Sequence, residues 1–310
     1  MGFFSALTDI FAQCLLPVFL IVGLGWAVQR GIGLDVKTMT RLNLWIFVPA
    51  LIFDRLAKAE VPLGDLARVF LFVATMMGIT WGLTWAWCRF RGYTQSLTAA
   101  FTCSTIFINS GNYGLPVVEL AFGAASPALA LQTVVLAWQN ITTFSLGQVI
   151  IAGPHLGVGG ALRQYLRMPF LYAIGAGLAL QLTGWRLPGP IDQAVVLVAD
   201  GMVPIALLTL GAQLGMVTWS RQLGPVAAAA GIRLVLAPTI AFILLKLLGW
   251  NGLLAQHLLI TSSFPSAVNG ALLAIEYDNE PDFAAQTVVV VTALSALTVA
   301  VVIWVARSFL

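Results

Sequence analysis

The sequence predicts an all-α polytopic membrane protein of ten transmembrane helices, built as two inverted five-helix repeats. Three observations predict it: apolar runs of spanning length recur from end to end, 60% of residues are hydrophobic against 9% charged, and the proline and glycine landmarks of the first half return in order in the second. A soluble domain carries about 25% charged residues, so the chain lacks the polar cover that water requires. Its mean hydropathy of +0.95 agrees.

A helix needs about 20 residues to cross the hydrocarbon core. The apolar runs between charged or Gly/Pro breaks give spans at 8–29, 40–58, 67–88, 96–122, 127–152, 168–185, 191–217, 224–248, 252–276 and 283–307. The first run, Ile10 to Val28, is preceded by Asp9 and by no Lys or Arg. It reads as a permanent span, since a cleaved leader begins basic. The longest gap, 153–167, is Gly-rich and has no room for an extramembrane domain.

With ten spans, the gaps after odd-numbered spans share one side with Arg30, Lys37, Arg41, Arg89, Arg91, Arg163, Arg167 and Arg221. The other side holds Arg55, Lys58, Arg68, Arg186, Lys246 and Arg307. The positive-inside tendency places the first set in the cytoplasm and both termini outside it, as expected of a multipass protein of a plasma membrane, here a bacterial inner membrane. The net charge of +3 is spread over loops and gives no basic tail for nucleic acid. Cys14, Cys88 and Cys103 lie far apart, without metal-ligand spacing, and read as packing residues. No HExxH, GxSxG or acidic metal cluster is present, so the sequence points to neither an enzyme nor a cofactor.

The repeat is legible in spacing. Pro17 is followed by Gly23 and Gly25, and Pro169 by Gly175 and Gly177, at the same offsets. Val48-Pro49 and Val203-Pro204 come next, and then Pro116 and Pro265 in the fourth and ninth spans. Five helices per copy is an odd number, so the second copy enters from the opposite side, an architecture common among secondary transporters. The repeats occupy residues 1–152 and 168–310.

The fourth and ninth spans carry polar interruptions. The fourth runs Asn109-Ser110-Gly111-Asn112-Tyr113-Gly114-Leu115-Pro116, and the ninth Thr261-Ser262-Ser263-Phe264-Pro265-Ser266-Ala267-Val268-Asn269-Gly270. Proline removes a backbone donor and glycine permits non-helical dihedrals. Irregular backbone at this depth persists only when buried in protein or facing a watery cavity. Each break creates a helix start with free N–H groups and partial positive charge, suited to proline in its first turn. Two such starts at mid-membrane favour an anion. Gln132, Gln139 and Asn140 on the fifth span are candidate amides beside them, with Gln132 and Gln139 seven apart on one face.

These interruptions, with Asn43-Leu44-Trp45-Ile46-Phe47-Val48-Pro49-Ala50-Leu51-Ile52-Phe53, make the chain similar to the bacterial branch of the auxin efflux carrier family. That family includes the plant PIN carriers and bacterial carriers for malate and malonate. The resemblance implies that spans 4 and 9 cross at their breaks, and that spans 1, 2, 6 and 7 form a scaffold, often a homodimer interface. Spans 3–5 and 8–10 would form a transport unit, with Asn112 and Asn269 contacting a substrate carboxylate beside Pro116 and Pro265. The candidate substrate site is thus Asn109, Ser110, Asn112, Pro116, Gln132, Gln139, Asn140, Ser263, Pro265 and Asn269.

Ionisable groups inside the membrane are functional candidates. Asp200 and Arg233 either pair with each other, or serve separately, Arg233 drawing in a carboxylate and Asp200 taking up a proton or cation. Glu119, one turn beyond Pro116, is either a coupling group or a carboxylate stabilised by the helix start. His257 is either a group titrating near neutrality or a hydrogen-bonded core residue. The interruptions themselves contain no Asp or Glu, which argues against obligatory ion coupling. The expected function is secondary transport of a small organic anion, a dicarboxylate or auxin-like acid, by alternating access with an elevator-type motion. The alternatives are an anion-conducting channel and a ligand-sensing multipass protein.

Overall fold

The computed structural model describes residues 3–58, 62–124, 126–152, 168–217 and 222–310. Arg163, Arg167 and Arg221, used in the orientation argument, lie outside the described residues. Among the described residues, twelve helical segments follow one another: α1 (Phe4–Gly31), α2 (Val36–Lys58), α3 (Gly64–Arg91), α4 (Gln95–Ile106), α5 (Leu115–Phe122), α6 (Pro127–Ile151), α7 (Pro169–Thr183), α8 (Gly189–Gly215), α9 (Leu223–Leu247), α10 (Gly252–Ser262), α11 (Val268–Glu276) and α12 (Pro281–Phe309). Among the described residues, seven of these are long and apolar enough to cross a membrane. The expected fourth span is divided into α4 and α5, and the ninth into α10 and α11. Their lengths of 12, 8, 11 and 9 residues fall short of a crossing taken singly.

Local chemistry sets the ends. Asp35 accepts from the amides of Lys37 and Thr38 to start α2, and Thr38, through its hydroxyl and amide, holds the Asp35 carboxyl below its ordinary value. Thr94 caps α4 through the Leu97 amide, and Ser126 with Pro127 starts α6. α3 stops at Gly92, whose φ of 64° is the left-handed conformation glycine adopts without strain.

The helices pack as two groups. α1 lies along α8, and α7 along α2. A methyl group on Gly211 would sit 2.0 Å from the Val22 carbonyl oxygen, and one on Gly25 2.4 Å from that of Leu208, so α1 and α8 touch backbone to backbone. Without a hydrophobic drive between helices in lipid, such small-residue contact is what holds them. α3 to α6 and α9 to α12 form the other group, with α12 packed on α9, α10 and α11 and touching α1 as well.

The charges on α2 and α8 form a network. Buried Asp54 lies 2.6 Å from Lys58 and 3.7 Å from Arg55; Lys58 reaches Asp192 at 2.9 Å, and Arg55 reaches Asp200 at 3.6 Å. Of the two readings of Asp200 and Arg233, mutual pairing is therefore not what the structure makes. Asp200 has 62% of its side chain exposed and its partner is on α2, while Arg233 is buried in the other helix group.

Candidate functional site: the crossing of two broken helices

The two interruptions meet. α4 ends at Ile106, the chain runs extended through Phe107, and a wide helical turn, Ser110–Gly114, leads into α5. α10 ends at Ser262, and α11 begins after Ala267, which is also extended. Between them lies a short antiparallel bridge, Ile108 opposite Ser266. The Asn109 amide donates to the Pro265 carbonyl at 2.8 Å, and the Ala267 amide to that of Phe107 at 2.9 Å. The Ser266 hydroxyl adds a bond to the Ser104 carbonyl at 2.6 Å. Backbone freed by the breaks is thus satisfied across them, as burial in an apolar medium demands. Proline has two uses here. Pro116 sits in the first turn of α5, whereas Pro265 lies outside any helix and lends its carbonyl to the bridge.

Gln132 on α6 fastens the crossing from behind. Its Nε2 donates to the Ser110 carbonyl at 2.8 Å, and its Oε1 accepts from Thr261 at 3.1 Å and lies 3.0 Å from His257 Nε2. Since Oε1 is an acceptor, His257 carries its proton on Nε2. His257 is a buried hydrogen-bonding residue in this arrangement. A methyl group on Gly114 would meet the Phe264 ring at 2.7 Å and Gln132 Nε2 at 2.8 Å, so the two breaks are in close contact.

Arg233 also serves the backbone. It lies in a wide turn within α9, Ile232–Leu236. Its Nε donates to the Phe264 carbonyl at 3.0 Å, Nη1 to that of Thr105 at 3.1 Å, and Nη2 to that of Ser262.

A polar cavity of about 40 Å³ opens on the other face of the crossing. Of the predicted residues, Asn109, Ser110, Asn112, Gln139, Asn140 and Asn269 line it. Gln132, Pro116, Ser263 and Pro265 do not; they hold the backbone around it, as do the side chains just described. Glu119, Asp200 and Arg233 are absent from its wall. Thr40, Asn43, Thr143 and Gln213 line it and were not singled out from the sequence. Asn43 and Gln213 gave the signal that marked Gln139, an amide among apolar neighbours. Asn43 Nδ2 donates to Asn112 Oδ1 at 2.9 Å, and the Ile108 amide donates to Gln139 Oε1 at 3.3 Å. Among the described residues, the buried Nδ2 groups of Asn109 and Asn140 have no hydrogen-bond partner. The cavity is therefore bordered, among the described residues, by unpartnered amide donors, Asn109 and Asn140 Nδ2, and by unpartnered acceptors, Asn43 Oδ1 and Gln213 Oε1, and α2 and α8 form part of its wall.

This arrangement, apolar helices enclosing a crossing of two interrupted ones with a polar cavity beside it, is that of a polytopic membrane protein. The family described as "Membrane transport protein" matches residues 10–303, and the chain belongs to it. The chain is 26% identical over 295 residues to an "Uncharacterized transporter" of Methanothermobacter thermautotrophicus, covering 92% of this chain and 95% of that protein. It is 24% identical over 310 residues to a Rhizobium meliloti protein named "Putative malonate transporter", covering 94% and 95% respectively. It is thus a multipass membrane transporter of the auxin efflux carrier type, as its motifs suggested.

Proposed function

We propose that the protein carries a small organic carboxylate across the membrane by alternating access, with the cavity at the crossing as its substrate site. The observation that carries this reading is the pair of unpartnered amide donors, Asn109 and Asn140, beside Asn112 and Asn269 in a buried cavity. A carboxylate satisfies such donors. The helix starts at Ser110 and Val268 add partial positive charge there. The malonate in the name of the Rhizobium meliloti relative is of the same class.

In this reading the chain makes ten crossings, with α4–α5 and α10–α11 each counted as one. The halves are inverted repeats: Gly25, eight residues after Pro17, packs on α8, and Gly177, eight after Pro169, packs on α2. Such reciprocal packing is what two copies related by an axis in the membrane plane require. α1, α2, α7 and α8 act as the scaffold, and the other helices move past them as an elevator carrying the cavity. The same reading carries a homodimer through the scaffold and both termini on the extracytoplasmic side. Glu119, on the moving α5, lies within electrostatic reach of Arg55 and Asp200 on the scaffold, and is the first residue to change in a test of coupling.

Reconstituted proteoliposomes test the proposal. Saturable counterflow of labelled malonate or a related dicarboxylate, reduced at least about tenfold by Asn112→Ala, is expected. Single-channel currents in planar bilayers, without saturable exchange, would replace the carrier by a channel.

A further inference from the structure

Arg233 is 4% exposed and lies deep among apolar helices. An unpaired charge in such a place is costly, and among the described residues no carboxylate pairs with it. Its three contacts are all backbone carbonyl oxygens, and they come from both breaks. Thr105 is in the last turn of α4, Ser262 is the last residue of α10, and Phe264 follows it. The C-terminal end of a helix carries about half a negative charge. Two such ends facing one guanidinium balance about one positive charge. The other two helix ends at the crossing, at Ser110 and Val268, are N-terminal and border the amide cavity. The crossing is thus electrically divided, with its negative ends on Arg233 and its positive ends toward the site.

We infer that the carbonyls of Thr105, Ser262 and Phe264 form a seat for a planar, guanidinium-like monovalent cation, and that Arg233 fills it from within the chain. Three carbonyl oxygens, each facing a different nitrogen of one planar fork, are an acceptor set shaped for a guanidinium. The guanidinium supplies the charge together with directed donors, so the crossing needs no free metal ion to hold it closed. The residue also borders a second, smaller cavity of about 30 Å³, which shares Ile108 and Gln139 with the amide cavity and has space beside the guanidinium. This inference concerns the crossing's charge balance and stands whichever anion is carried.

The experiment compares the intact protein with Arg233→Ala, Arg233→Met and Arg233→Lys, purified in detergent, by melting temperature in choline, sodium and ethylguanidinium chlorides at matched ionic strength. The wild type is expected to melt at one temperature in all three salts. Arg233→Ala, with its seat vacated, is expected to melt lower in choline and to recover several degrees in ethylguanidinium but not in sodium. Arg233→Lys, which keeps a charge, is expected to melt well above Arg233→Met, which fills space without one. A response to ethylguanidinium equal in wild type and Arg233→Ala, or none in either, overturns the inference, as does equal recovery of Arg233→Ala in sodium. So does an Arg233→Met protein as stable as Arg233→Lys. If Arg233→Ala cannot be purified, the Met and Lys pair decides the question. Loss of substrate binding by Asn112→Ala leaves these melting results unchanged, so this test and that of the transport reading fail separately.

Discussion

In the first break, Asn109, Ser110, Gly111 and Asn112 all reach the cavity. In the second, Ser262, Ser263 and Ser266 turn their hydroxyls onto the carbonyls of Leu259, Ile260 and Ser104, and only Ala267, Val268 and Asn269 face it. The two stretches are written in similar residue types, yet one supplies most of the site's polar groups and the other mainly the backbone against which they are held. The difference follows from length and turn. The first break re-enters a helix through a wide five-residue turn that projects its amides, with Ser110 tethered by Gln132. The second stays non-helical until Ala267, and its serine hydroxyls are taken up by backbone carbonyls, two on its own helix and one on the first break's.

Substitutions at the two breaks should therefore differ in kind as well as size. The largest effect is expected from Gly114→Leu, which drives a side chain into Phe264 where the breaks touch. Overpacking there should cost about 3 kcal/mol, seen as loss of a monodisperse peak or a collapse in melting temperature. Next is Gln132→Leu, which orphans the Ser110 carbonyl and the His257 and Thr261 donors. Denaturation should show a loss of about 2 kcal/mol, with binding weakened only because the first break loosens. Asn112→Ala and Asn269→Ala should leave the fold nearly intact and weaken carboxylate binding by tenfold or more, about 1.4 kcal/mol. Titration of purified protein measures it. Ser263→Ala should be the quietest, with about 0.5 kcal/mol lost and affinity unchanged, because the Ser263 amide still serves the Ile260 carbonyl at 3.0 Å. If Ser263→Ala instead abolished binding, the division of labour between the breaks would be wrong.

The breaks themselves were legible in the sequence because Pro, Gly and Asn in mid-span have few other uses. Which residues then face the cavity was less legible. Gln132 and Gln139 share a helix face at a spacing of seven, but that spacing is also roughly 10 Å along the axis. Gln139 lines the cavity and Gln132 lies behind the crossing. Asn43 and Gln213 became part of the site only when α2 and α8 packed against the other group, a tertiary fact that no local pattern carries. The partner of Arg233 was hidden for a related reason. A charge in an apolar run suggests an opposite charge, and Asp200 stood nearest in sequence. Yet the negative pole Arg233 meets is made by helix ends, one of them 128 residues away, and carbonyls have no letter in the sequence. Asp200, on α8, pairs with Arg55 on α2 instead.

The claim that the first break supplies the ligand groups is tested most directly by malonate titration against wild type, Asn112→Ala and Ser263→Ala, with melting temperature as the control for folding. The account predicts saturable binding to wild type and Ser263→Ala, and at least a tenfold loss in Asn112→Ala at little change in melting temperature. Equal affinity in all three proteins would contradict it.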